Sequence, residues 1–173
     1  MSLVSFDQLP DAARLWIFGS ERTLTDTEVA ELHSHLNQFM QQWTAHKREL
    51  TTGWQLEHQR FILVGVDESR LPASGCSIDS LVRAVQAFER VVNCDIVNTH
   101  ARVFYRDEQE IRCVPRPEFK KLVRSGAVDD HTVVFDNTIQ RLRDLRAGNW
   151  EKPMKQSWHW EAFAERVVNV REG

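Results

Sequence analysis

The sequence predicts an α+β fold: a ferredoxin-like β-α-β-β-α-β core, with an added hairpin and an irregular α/β annex at the C-terminus. Two stretches of helix length, 25–43 and 78–92, carry apolar residues at three/four spacing. Three runs of strand length, 13–20, 50–56 and 61–66, are continuously apolar or alternate in polarity. Their order along the chain is that of a split βαβ unit.

The first run holds Leu15, Trp16, Ile17 and Phe18, apolar on both faces as in a doubly covered strand. Thr25-Asp26-Thr27-Glu28 then forms a capping box, a hydroxyl for one orphan N–H and a carboxylate three residues on for another. The helix it opens presents Val29, Leu32, Leu36, Phe39, Met40 and Trp43 on one stripe. Leu50, Thr52, Trp54 and Leu56 alternate onto one face of the second strand. A short connection, 57–59, returns the chain as the third strand, which ends in Asp67. The second helix turns Ile78, Leu81, Val82, Val85, Phe88 and Val92 inward. Residues 101–106 supply the closing strand and 110–114 complete a hairpin with it. Pro117 starts a short helix that stops at Gly126. Residues 132–135 read as a brief strand, and Ile139, Leu142 and Leu145 as a helix ending at Gly148. Trp150, Trp158 and Trp160 have no periodicity, and such rings pin down the open side of a core.

One domain is expected, with residues 1–114 as the core and 115–173 as an annex packed on it. With 42% hydrophobic and 27% charged residues the chain is an ordinary globular protein. A net charge of −3, with no basic run interleaved with aromatics, argues against a nucleic-acid partner. Arg116, Lys120, Lys121 and Arg124 cluster but are interrupted by Glu118, as on a solvated helix face. No window approaches the roughly 18 apolar residues of a membrane span. Three scattered cysteines and no secretory leader point to reduced thiols and a cytoplasmic location. His33 and His35, two apart on a helix, face different ways, and no metal site or cofactor is expected.

The candidate site is the segment Ser74-Gly75-Cys76-Ser77-Ile78-Asp79-Ser80, which opens the second helix. A helix N-terminus exposes unpaired N–H groups that suit an anion, a polar ligand or a reactive thiol. In the ferredoxin-like order the end of helix one, the end of strand three and the start of helix two share one edge. That edge gathers Trp43, His46, Asp67, Ser69 and the 74–80 loop, with Arg14 at the start of strand one. Each residue also has a plain structural reading: His46 as a helix C-cap, Ser77 as an N-cap, Asp79 as a first-turn acid.

Two classes of function are compatible with that edge. The first is a binding or interaction protein for a small polar or anionic ligand, held by Arg14, Trp43, His46, Asp67, Ser69, Ser74, Gly75, Cys76, Ser77 and Asp79. The alternative is a thiol enzyme with Cys76 as nucleophile, His46 as base and Asp67 nearby. A helix dipole contributes about 0.3–1 kcal/mol, less than one pKa unit, so the thiol needs a cation or base beside it. No phosphate-binding loop, dinucleotide fingerprint, nucleophile elbow or zinc-protease motif is present.

Several of these segments carry a resemblance: Leu9-Pro10-Asp11 with Arg14 and Trp16, Trp43-x-x-His46, residues 66–69, the 74–80 loop, Trp150-x-x-Pro153 and Ser157-Trp158. Through them the chain resembles a family of small uncharacterised bacterial proteins carrying an S-G-C-S-I-D-S motif, sometimes labelled "ABC transporter ATPase". The resemblance implies a shared fold and site but no reaction. The missing phosphate and signature loops speak against the label. Lys47 departs from the family pattern, where glycine follows the histidine. The C-terminal third, through Tyr105-Arg106-Asp107, Phe119, Leu122, Gly126, Thr132 and Val134, is similar in pattern to GYF-like interaction domains. It lacks their peptide-gripping aromatic motif.

Overall fold

The computed structural model describes residues 3–164. In chain order the elements are β1 (Arg14–Gly19), α1 (Asp26–Gln42), β2 (Thr44–Ala45), β3 (Arg48–Glu49), β4 (Thr51–Glu57), β5 (Phe61–Asp67) and α2 (Gly75–Val92). There follow β6 (Arg102–Asp107), β7 (Glu110–Pro115), α3 (Arg116–Ser125), β8 (Val133–Phe135), α4 (Leu142–Arg146), β9 (Glu151–Pro153) and α5 (Trp158–Phe163). The fold is α+β with antiparallel sheets. It divides into two compact units, Met1–Thr99 with Asn137–Trp150, and His100–Asp136 with Glu151–Gly173.

The first unit is built on a sheet of order β1-β5-β4. Arg14 pairs with Val66 and Gly19 with Phe61, while Thr51 pairs with Asp67 and Glu57 with Phe61. Alternation sends Ile62, Val64 and Val66 to one face, where they share a core with Leu32, Leu36 and Met40 of α1 and Leu81, Val85 and Phe88 of α2. Both helices therefore cover the same face. Three bonds show that they run antiparallel: Arg22 Nη2 donates to the Val92 carbonyl at 2.9 Å, a His35 ring nitrogen meets the Ala84 carbonyl at 2.8 Å, and Trp43 Nε1 donates to the Ser77 carbonyl at 2.8 Å.

The capping box forms as the sequence predicts. Glu28 N–H donates to Thr25 Oγ1 at 3.2 Å and Thr25 N–H to Glu28 Oε2 at 2.9 Å. Arg22 forks onto both Glu28 oxygens at 2.9 Å, and that guanidinium holds the carboxyl below its ordinary range. On the opposite face of the sheet lies the N-terminal segment. A Cβ on Gly53 would stand 3.0 Å from Phe6 Cα and from the Val4 carbonyl, so only glycine admits so close a backbone there. Trp150 meets Phe61 edge-on at 5.0 Å on the same unit.

The closing strand of the ferredoxin-like order is not beside β1. That edge is met by residues 140–142, with Leu15 N–H donating to the Gln140 carbonyl and Arg14 bridged to Arg141. The sheet therefore has three strands, where the sequence led us to expect at least four. Residues 102–107 pair instead in a second sheet, of order β7-β6-β8-β9, through Tyr105↔Val134 and Val133↔Pro153. The hairpin thus leaves the expected 1–114 core for the second unit, and residues 137–150 join the first. The physical reason is that a strand's pattern records its buried face, not the backbone edge it will pair with. The second unit closes over Val103, Tyr105, Phe119, Val128, Val134, Met154 and Phe163. Its helix α3 ends at Gly126, whose φ of 76° suits glycine. Trp158 packs against that core, whereas Trp160 is 40% exposed and lies outside it.

Candidate functional site

The start of α2 differs from the sequence expectation by one turn. The N-cap is Ser74, not Ser77: Ser74 Oγ accepts from Ser77 N–H at 3.1 Å, and Ser77 Oγ donates to the Ser74 carbonyl at 2.7 Å. The helix begins at Gly75, so Asp79 falls outside the first turn and is exposed. Two serines three apart compete for the cap, and the earlier wins because its oxygen is positioned to take the later one's N–H. Gly75 and Cys76 are exposed, and their N–H groups have no partner among the described residues. A Cβ at Gly75 would meet nothing within 4 Å, so the first turn opens to solvent.

Trp43, the C-cap of α1, is 2% exposed and bonds the Ser77 carbonyl through its indole N–H. Its ring meets Trp16 at 6.2 Å in a T-shaped contact, and the Arg14 guanidinium lies 4.8 Å from the centre of a Trp16 ring. Arg14, Trp43 and Ser77 are thereby joined through one aromatic pair. Asp67, at the end of β5, accepts from Ser69 N–H at 3.0 Å, while Glu68 accepts from Ala73 N–H at 2.9 Å and pairs with Arg141 at 3.5 Å. These bonds tie the 67–73 loop to itself and carry the chain into the Ser74 cap.

His46 is not a helix C-cap. The chain leaves Trp43 into a small hairpin, β2–β3, and His46 and Lys47 form its two-residue tip at φ 51° and 64°. Both central residues are left-handed, the geometry of a type I′ turn, which favours Asn-Gly. The missing glycine at Lys47 is thus a strained position. Lys47→Gly should stabilise the first unit by about 0.5–1 kcal/mol, read as a higher urea midpoint. A lower midpoint would mean that the Lys47 side chain makes a stabilising contact. The hairpin's β2 strand lies against α2, but the exposed His46 ring has no hydrogen bond to Cys76 or to any other described residue. The Cys76 thiol, also exposed, has no polar partner among the described residues.

His33 and His35 face other partners. The His33 ring stands 4.8 Å from that of Trp54, and His35 bonds α2. No group of three His, Cys, Asp or Glu side chains among the described residues is placed to hold a metal ion.

The sequence reading missed a buried polar cluster in the second unit. Asp136 accepts from Lys152 Nζ at 3.0 Å and from Trp158 Nε1 at 3.1 Å. Ser157 Oγ and His159 Nδ1 are 2.6 Å apart, and the His159 ring stacks on Trp158 with centroids 3.9 Å apart. Burial, against a smaller opposing pull from Asp136, pushes the His159 pKa down to about 4, so the ring is neutral near pH 7. Ser-x-His beside two tryptophans was the available signal, since buried indole and imidazole nitrogens need polar partners.

No protein-family model, no curated protein and no solved structure matches this chain. Among the described residues no helix is long and apolar enough to cross a membrane.

Proposed function

We propose that this protein is a cytosolic binding protein that takes a small polar or anionic ligand on the first turn of α2. The observation that carries the reading is the pair of unpartnered, exposed N–H groups of Gly75 and Cys76 at the head of an 18-residue helix. Aligned peptide dipoles place partial positive charge there, and two N–H groups can reach one anion. The Ser74 and Ser77 hydroxyls border the same turn, and the Trp43 bond to Ser77 anchors it to the core. The three-strand order, with both helices on one face, fits a ferredoxin-like core in which residues 140–142 stand where the closing strand would be. Membership of the small bacterial family with the S-G-C-S-I-D-S motif belongs to this reading, as does the absence of ATPase activity. The protein has no nucleic-acid partner in it.

The thiol-enzyme alternative has less support, because a base must reach the proton it takes and His46 makes no bond to Cys76. The binding reading is tested by amide NMR with inorganic phosphate and with acetate. Saturable shifts at Gly75 and Cys76, in the millimolar range, are expected. Unmoved amides at 74–77 while other surface amides shift would sink it.

A further inference from the structure

The outer edge of β1 carries two arginines side by side. Leu15 N–H donates to the Gln140 carbonyl at 2.9 Å and Leu142 N–H to the Ala13 carbonyl at 3.0 Å. Arg14 and Arg141 therefore stand directly opposite each other as a non-hydrogen-bonded antiparallel pair. Cα atoms in such a pair are about 4.5 Å apart, and the two side chains leave the same face of the sheet. Like charges placed so are destabilising unless an anion joins them. We propose that Arg14 and Arg141 hold an oxyanion, the carboxylate or phosphate group of a small ligand, beside Trp16.

The carboxylates that the chain brings to this end of the sheet are committed elsewhere. Asp11 pairs with Arg146, and Asp67 accepts from Ser69 N–H. Glu68 accepts from Ala73 N–H and reaches Arg141 Nη1 only at 3.5 Å. One shared carboxylate thus serves the pair, and it serves Arg141 alone. Arg14 is half-buried, yet it makes no hydrogen bond or ion pair among the described residues. Its guanidinium lies 4.8 Å from the centre of a Trp16 ring. A guanidinium held against an aromatic ring keeps its N–H fork at the rim, where it matches two oxygens of a carboxylate or phosphate. Arg14 pairs with Val66 and Trp16 with Val64, and both valines belong to the core under the helices. The fork therefore sits at the end of the helix-covered face, where partial burial strengthens a charge-assisted bond. The site uses no residue of the α2 turn, so it stands or falls apart from the reading above.

The test is a titration of the full chain with inorganic phosphate and, separately, with acetate, at one ionic strength held by chloride. Arginine Nε–H and tryptophan indole N–H signals are followed by NMR. The Arg14, Arg141 and Trp16 signals should shift saturably with one dissociation constant, and the tighter of the two anions identifies the group. Arg14→Gln should weaken that constant roughly tenfold or more, the loss expected for a charge-assisted bidentate contact. Arg14→Lys should recover only part of it, because an ammonium keeps the charge and lacks the fork. Without added anion, Arg14→Gln should melt no lower than the parent protein, since the like-charge pair is relieved. The Gly75 and Cys76 amides report the α2 turn in the same spectra. Saturation there with unmoved Arg14 and Trp16 signals overturns the arginine site and leaves the α2 reading standing, and the reverse pattern supports the arginine site alone. An Arg14→Gln variant that binds as tightly as the parent also overturns it. So does one that melts well below the parent without anion, which would make Arg14 a structural prop for Trp16.

Discussion

Trp43→Ala should lower the stability of the first unit by about 3–5 kcal/mol, the range for removing a buried aromatic ring. Trp43 is 2% exposed and touches both neighbours that matter: Phe39 at 5.4 Å on its own helix and Trp16 at 6.2 Å on the sheet. Truncation leaves a cavity at the junction of α1, the sheet and α2, and removes the indole bond to the Ser77 carbonyl. Trp43→Phe separates these effects, since it retains most of the ring volume and loses the bond. Its cost should be about 1 kcal/mol from the hydrogen bond plus a smaller packing loss. Urea unfolding followed by amide signals of each unit measures both variants. The Ser77 and Ile78 amides should become faster to exchange in each, because Trp43 clamps the first turn of α2. Equal midpoints for Trp43→Ala and the parent protein would remove the core role assigned to this ring.

Lowering the pH from 6.5 toward 4 should destabilise the second unit by roughly 3 kcal/mol, the free energy of about 2.5 pKa units. The His159 ring ordinarily titrates near 6.5, and burial holds it at about 4 in the fold. Between those values the unfolded chain binds a proton that the folded chain does not, so stability rises with pH across that window. It is full above 6.5, falls as the pH drops through the window, and levels off once the folded ring also protonates. Burial is the largest influence and opposes the charged ring, as do Lys152 and Arg116, and together they outweigh the pull of Asp136. His159→Phe removes the titration and retains an aromatic ring on Trp158. Its stability should be nearly flat from pH 6.5 to about 5, above the range where ordinary carboxylates protonate. An unchanged slope in that variant would assign the acid sensitivity to other groups.

The elements that the sequence revealed are those whose evidence is local. The Thr25 box acts within four residues, and the stripes of α1 and α2 repeat every turn, so each was readable from a short window. The alternation of 50–56 and the apolar run of 61–66 likewise set which side chains turn inward. The two short strands at Thr44–Ala45 and Arg48–Glu49 were hidden because their turn, His46-Lys47, lacks the glycine that signals a type I′ hairpin. At the head of α2 the sequence placed the right segment and the wrong cap. Ser74 and Ser77 are chemically equivalent, and only the backbone path out of the 67–73 turn selects between them.

Local chemistry thus settled that this chain is α+β, that two amphipathic helices share a core with apolar strands, and that helix two opens on a polar segment. Partner choice was left to the tertiary structure. It sent the strand at 102–107 to β8 instead of β1, set Arg141 against Arg14, and brought Asp136, Lys152 and Trp158 onto one buried carboxylate. The reason is range. Capping and amphipathicity are written in neighbours a few residues apart, whereas strand pairing and buried polar bonds join residues tens of positions apart, whose backbone groups carry the same N–H and C=O at every step.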